Sequence, residues 1–249
     1  MAGMTAAIYA RRANKTVLVL EEKIHGGQIV NTSEIDNWPG MPGVSGQDLM
    51  DEIYHQVNNL GGEVKYEQVI EVTPNRDDAS GKQQFEVKTD EGKYSCGAII
   101  IATGREPRRL SEKQTKDAGE RPISYCAICD GALYKDKPVV VVGSGNTAKH
   151  EIAYLENIAS KVYHIHHDEP IPEDAVAVFG AIGRVPSTEK FVGLVKMDED
   201  GYIEAGEDCV TSTPGVFVAG DCRTKQVRQL VTAAADGAVA ANAAVEYLG

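Results

Sequence analysis

The chain has 249 residues, 42% of them apolar and 6% aromatic, and its 25 Lys and Arg against 37 Asp and Glu leave a net charge of −12. That length serves one large α/β domain or two small ones. The negative charge repels nucleic acid and anionic membrane surfaces, so neither is expected as a partner. No apolar run approaches the roughly 20 residues that span a bilayer.

The first residues read as an amphipathic helix over 4–14 rather than as a signal peptide, which points to the cytoplasm. Residues 16–20 predict a buried parallel strand ending at Glu21. A helix feeding a parallel strand is the second half of a βαβ unit. The first strand and its glycine turn have no counterpart here, and only Gly3 stands where the third glycine of G-x-G-x-x-G would. Residues 47–60 predict a second helix, stopped by Gly61-Gly62. Residues 63–94 alternate and predict antiparallel strands, with turns at 75–78 and 80–81. Residues 98–104 read as a buried strand running into a tight turn, and 107–121 as a polar crossing segment.

A second unit follows: a strand over 138–142, a glycine turn over 143–148, a helix over 147–158 and a strand over 161–166. The next strand comes at 175–179, so the second helix of a full βαβαβ half is lacking. The tail carries a strand ending in Gly220-Asp221 and a helix over 229–247. A strand ending in Gly-Asp ahead of a helix N-terminus suits a pyrophosphate or ribityl chain. The two glycine-rich units suggest an internal duplication.

Of the five cysteines, Cys96, Cys126, Cys129, Cys209 and Cys222, only Cys126-Ala127-Ile128-Cys129 is closely spaced. In a reducing compartment such a pair is redox-active or half a metal site. Zinc needs a second ligand pair. His164 and His166 alternate along a predicted strand with His167 facing the other way, so no metal is expected. Asp130 follows the pair, and a carboxyl beside a dithiol can give or take the proton that disulfide exchange requires. The blander reading is two unrelated surface cysteines. Cys96, Cys209 and Cys222 read as packed or surface thiols.

Gly143-x-Gly145-x-x-Ala148, with Asn146 and Thr147 inside it, lies between a strand and a helix, the context that makes this pattern a dinucleotide turn. It could also be a glycine-rich turn without a ligand. Where basic side chains would hold the 2′-phosphate of NADP, the sequence has His166-His167-Asp168-Glu169, a poor anion site. Glu21 ends its strand where a carboxylate commonly bonds an adenosine ribose. Gly26-Gly27-Gln28, Asn37-Trp38-Pro39-Gly40 and Arg228-Gln229 are turns and a helix start that could equally be plain surface.

Taken together, the chain resembles the low-molecular-weight thioredoxin reductases, flavoproteins with two dinucleotide-binding domains. The resemblance rests on 2–10, 26–28, 37–40, 102–104, Cys126-Ala127-Ile128-Cys129-Asp130-Gly131, 143–148, 181–188, 219–223 and 228–234. It implies an α/β fold of two Rossmann-like three-layer domains: a discontinuous FAD domain over 1–112 and 193–249, and a shortened NADPH domain over 113–192. It implies FAD contacts from Gly3, Glu21, Gly27, Gln28, Asn37, Asp221, Arg228 and Gln229. NADPH would meet Gly143, Gly145, Asn146 and Thr147. Cys126 and Cys129 would be the redox pair, Cys129 nearer the flavin and Cys126 the attacking sulfur, with Asp130 as acid–base residue. The family is homodimeric, reduces a thioredoxin-like protein, and alternates two orientations of its nucleotide domain.

Three departures stand out. The first strand with two flavin-site glycines is missing, His164-Ile165-His166-His167 replaces a His-Arg-Arg motif, and the stretch before Gly183 is nearly gone. They suggest a truncated or naturally shortened chain and disfavour NADPH. They leave two further readings: a reductase fed by ferredoxin, and a non-catalytic remnant without FAD whose unpaired sheet edge binds a partner.

Overall fold

The computed structural model describes residues 1–75, 81–166 and 169–249, and of Cys129 only the backbone. Residues 76–80, where turns are expected, and His167 and Asp168 lie outside the described residues. The chain forms two compact units, Met1–Arg105 with Pro186–Gly249, and Glu106–Val185.

In the first unit, the helix Ala2–Arg12 is followed by Asn14, whose φ of 59° turns the chain toward the strand Leu18–Glu21. The helix Gly46–Asn59 starts where Ser45 Oγ accepts the Asp48 N–H at 3.0 Å, and it buries Leu49, Met50 and Val57 against Met4, Ala7 and Ile8. The strand Glu63–Tyr66 pairs parallel with Leu18–Glu21, from Leu18↔Glu63 to Glu21↔Tyr66. This corrects the antiparallel reading of 63–94 at its first strand: a helix between two strands is a crossover, which leaves them parallel. The antiparallel sheet consists of Val69–Pro74, Phe85–Thr89 and Lys93–Cys96. Its inner residues Val72, Phe85 and Val87 share a core with Ile101, Ile203, Val216 and Val218.

Ile99–Ile101 pairs parallel with Val216–Val218, so both strands are shorter than their apolar runs. Among the described residues, the four parallel strands of this unit therefore form two separate two-stranded sheets. The last helix, Leu230–Leu248, packs on Ala2–Arg12. Gly237 permits the close approach, because a Cβ there would lie 2.3 Å from the Ala2 carbonyl oxygen. Beside the strand ends, His25 Nδ1 meets the Tyr66 hydroxyl and Nε2 meets Asp51 Oδ1, both at 2.7 Å, while the ring stacks on Tyr54. These bonds fasten the loop that carries Gly26 and Gly27 to the second helix.

The second unit holds one four-stranded parallel sheet, ordered Lys161–Ile165, Pro138–Val142, Val178–Gly180, Ile123–Ser124. Val139, Val140, Val141 and Val142 are all 0% exposed. Their period of two sorts them onto the two faces: Val139 and Val141 pack with Ala148, Leu155 and Phe179, Val140 and Val142 with Leu110, Ala118 and Ile165. Each such side chain contributes about 1.5–3 kcal/mol by leaving water.

The helix Asn146–Leu155 stops before the expected residue 158, because the Ile158 and Ala159 N–H groups both fold back to the Leu155 carbonyl. The polar crossing segment 107–121 contains the helix Glu112–Ala118, started by a reciprocal Ser111–Gln114 capping box. The strand Ile123–Ser124 was not expected.

Candidate redox and dinucleotide sites

The candidate redox turn is built at the end of a strand. Ile123–Ser124 leads into Cys126, one helical turn Ala127–Asp130 follows, and a 3-10 turn Gly131–Tyr134 closes the segment. Cys126 is disulfide-bonded, whereas Cys96, Cys209 and Cys222 are free thiols. Ser124 organises the turn: its hydroxyl donates to Asp130 Oδ2 at 2.6 Å and accepts the Cys126 N–H at 3.1 Å. The acid predicted beside the dithiol is thus tied to the same hydroxyl that anchors the first cysteine. Glu151, which sequence reading missed, accepts the backbone N–H of Ala127. Burial pushes the Glu151 carboxyl up, opposed by that N–H and by Arg184.

The glycine turn lies in the same unit. Gly143 has a φ of 149°, and a Cβ there would lie 2.2 Å from the Ala181 carbonyl oxygen, so only glycine fits. Around Gly145 a Cβ would meet no atom within 4 Å, so its lack of a side chain leaves room for something outside the protein. The helix Asn146–Leu155 begins at Gly145 without a side-chain cap, which leaves its first N–H groups for an anion. His164 Nε2 donates to the Gly143 carbonyl at 2.6 Å, so this histidine positions the turn. The His166 N–H donates to the Glu169 carboxylate at 3.0 Å, placing a negative charge at the end of the second strand.

The eight residues singled out for a flavin all lie in the first unit: Glu21 and Asp221 at or just past the carboxyl ends of parallel strands, the others in turns or at helix starts. Gly3 is in the first turn of Ala2–Arg12, where a Cβ would lie 3.4 Å from that of Ala102. Glu21 and Asp221 both act electrostatically on the Met1 amino group, at the start of that helix. The Gln28 amide donates to the Arg105 carbonyl, and Arg105 Nε pairs with Asp221 Oδ2 at 3.1 Å. Arg228 Nε donates to the Asp221 carbonyl at 3.3 Å, and its guanidinium lies 4.2 Å from the centre of the Tyr202 ring. Asn37 donates to the Gln229 amide oxygen at 3.2 Å. Arg105 thus links Gln28 to Asp221, Arg228 joins at the Asp221 carbonyl, and Asn37 is paired with Gln229. Gly27 and Gly104, both at φ 68°, have nothing within 4 Å of a built Cβ. Polar groups around open glycine turns at strand ends fit the pyrophosphate and ribityl part of a flavin dinucleotide.

Sequence reading also missed what supports Asp221. Buried Asp236 accepts the Gly220 N–H at 2.9 Å, two bonds from Arg223 at 2.9 Å and one from Lys225 at 2.7 Å. Burial alone would raise the Asp236 carboxyl, and the bonds from Arg223, Lys225 and Gly220 outweigh it, holding it below its ordinary range. Asp236 is the one charged residue of Leu230–Leu248 ahead of Glu246, which was the available signal.

With this geometry in view, comparison with known proteins is direct. The family model for pyridine nucleotide-disulphide oxidoreductases matches residues 1–176 and 168–237. The chain belongs to that family. A thioredoxin reductase of Listeria innocua is 35% identical to it, covering 99% of this chain and 91% of the relative. That alignment runs over 297 positions, more than the 249 residues present here, so the relative carries internal segments this chain lacks. The structure of Lactococcus lactis thioredoxin reductase in its FR conformation superposes with a TM-score of 0.82 at 29% identity, covering 99% of this chain and 95% of that one. A ferredoxin-flavin thioredoxin reductase from Clostridium acetobutylicum superposes with a TM-score of 0.60 at 28% identity, with coverages of 99% and 93%. Within the pyridine nucleotide-disulphide oxidoreductases, the relatedness is to thioredoxin reductases along nearly the whole chain. Among the described residues no helix is long and apolar enough to cross a membrane.

Proposed function

We propose that this oxidoreductase is a thioredoxin-disulfide reductase in which Cys126 and Cys129 form the redox pair. The observation that carries the reading is the disulfide at Cys126 beside an Asp130 carboxyl tethered through Ser124. FAD, when bound, supplies two electrons at a time. Gly3, Glu21, Gly27, Gln28, Asn37, Asp221, Arg228 and Gln229 would hold it, and Arg105 joins them by linking Gln28 to Asp221.

Two electrons and two protons convert the disulfide to two thiols. Asp130 receives the proton of the Cys126 thiol as its sulfur attacks a disulfide of a thioredoxin-like protein. One S–S bond forms between Cys126 and the partner, and the partner's other sulfur leaves as a thiolate that takes up a proton. Cys129 then attacks the Cys126 sulfur, its own proton passing to solvent or Asp130. The internal disulfide closes as the bond between Cys126 and the partner breaks, and the partner's second sulfur departs as a thiolate that takes up a proton. The family resemblance assigns Cys126 to the attack.

The donor we infer is a pyridine nucleotide seated on Gly143, Gly145, Asn146 and Thr147. The open space at Gly145 and the uncapped helix start support this. The protein would act as a cytoplasmic homodimer. Replacing either cysteine, as Cys126→Ser or Cys129→Ser, is expected to abolish turnover with thioredoxin, and full activity in either variant overturns the mechanism. Anaerobic addition of NADPH or NADH should bleach the visible flavin absorbance. Bleaching only by reduced ferredoxin would replace the donor, and a purified protein without FAD would favour the non-catalytic reading.

A further inference from the structure

Two carboxylates converge on the redox turn, and the proposed exchange uses only one of them. Asp130 is bonded to Ser124. Glu151 comes from the helix behind the glycine turn, and its Oε2 sits on the N–H of Ala127, the residue that follows Cys126. In a Cys-x-x-Cys turn the N–H groups after the first cysteine are the donors that favour a thiolate there. Here one of those donors is already engaged, and by a carboxylate.

The other charged groups around Glu151 do not reverse this. Burial pushes the Glu151 carboxyl up, while the Ala127 N–H and Arg184 oppose that and favour its ionised form. Asp130, on the turn itself, adds a second negative group. The adjoining strand Pro138–Val142 carries no titratable side chain. On Lys161–Ile165, Lys161 and Tyr163 are bonded to each other, with Tyr163 also on Asp174, and His164 is held by the Gly143 carbonyl. Lys149 and His150 are exposed on the same helix as Glu151. Tyr134, on the following turn, is pushed up by burial and by Asp130, so it stays neutral.

We propose that Glu151 is a positioning residue for the dithiol: seated on the Ala127 N–H, it keeps the reduced Cys126 thiol protonated by withholding one backbone donor and placing a negative charge beside it. Reduction then yields a Cys126 that reacts slowly with incidental electrophiles. Its proton must be drawn off during the attack, which is the task given to Asp130. The inference rests on the redox role of Cys126.

The test is alkylation of Cys126 by iodoacetamide in the full chain as a function of pH. A Cys129→Ser background is used and the labelled peptide is read by mass spectrometry, which separates Cys126 from Cys96, Cys209 and Cys222. Glu151→Gln keeps an oxygen for the Ala127 N–H and removes the charge, so the labelling rate at neutral pH should rise about tenfold, the change in thiolate fraction that one pKa unit brings. Glu151→Ala also frees the N–H and should raise it further. A packing role for Glu151 predicts an unchanged labelling profile in Glu151→Gln, and that result overturns the inference. Because Glu151→Gln is nearly isosteric, it keeps the test decisive even where Glu151→Ala fails to fold. The labelling readout is independent of turnover: wild-type protein unable to reduce thioredoxin strikes the proposed function, while an unmoved profile with turnover intact strikes this inference alone.

Discussion

The two units solve the same problem, a parallel sheet under helices, in different ways. In Glu106–Val185 four strands form one ladder, and the central Val139–Val142 run has no exposed surface at all. In the other unit the parallel strands stand as two pairs, and every residue of Leu18–Glu21 is only half-buried. A strand with a neighbour on each side satisfies both rows of backbone groups, whereas a strand in a pair leaves one row to other partners. The first unit makes up the difference with polar side chains and close helix packing. Asp236 with Arg223 and Lys225, His25 with Asp51 and Tyr66, and the Gly237 contact hold what the ladder does not. Both units bury apolar clusters, but the first adds a buried ion-pair network and a close helix contact to them.

Substitutions can break this contrast, and their expected effects fall in a definite order. Val141→Asp puts an unpaired carboxylate into a fully buried strand and should cost about 4 kcal/mol or more, enough to unfold the second unit. Limited proteolysis should then cut within 106–185 and spare the first unit. Asp236→Ala leaves Arg223 and Lys225 buried without their partner and should cost about 3–5 kcal/mol in urea unfolding of the first unit. The same network predicts a pH dependence. Because the native Asp236 carboxyl lies below its unfolded value, its contribution is complete above the unfolded range of about 4 and is lost as the pH falls through the native value. The first unit should accordingly melt earlier on acidification, and Asp236→Asn should flatten that slope. Gly237→Ala forces the two packed helices apart and should cost about 1–3 kcal/mol, read as a lowered Tm. Gly145→Ala should change stability by no more than about 0.5 kcal/mol, since its Cβ meets nothing, yet weaken binding of the pyridine nucleotide in calorimetric titration.

What sequence alone could reveal follows the same division. The valine run, the glycine turn and the apolar tail strand were legible because buried strands and φ-demanding turns leave local marks. The parallel partner of Leu18–Glu21 was misread because pairing is non-local. The alternation at 63–66 looks the same whichever strand lies beside it, and the intervening helix was the clue to direction. The helix Glu112–Ala118 escaped notice because it buries only Gln114 and Ala118 and so shows no apolar stripe, although Ser111 and Gln114 stand at capping-box spacing. Arg105, Glu151 and Asp236 act on residues between 11 and 116 positions away, and no spacing rule reaches them. The candidate flavin residues were found by family pattern, whereas the bonds that join Asn37 to Gln229 and Gln28 to Arg105 come only from the fold.

The first unit is made from both parts of the chain, and within it the Ser187 N–H bonds the Gly104 carbonyl at 3.2 Å, so the chain returns to the place it left. A ribosome emits the chain in order, at about 5–20 residues per second. When residue 185 has emerged, the whole second unit is available to fold. Ile99–Ile101 is still waiting for Val216–Val218, and Ala2–Arg12 for Leu230–Leu248. During translation the later-starting unit can thus be finished first, and the earlier one spends those seconds with an apolar helix face uncovered. That interval, rather than the native state, is where a chaperone would find this protein.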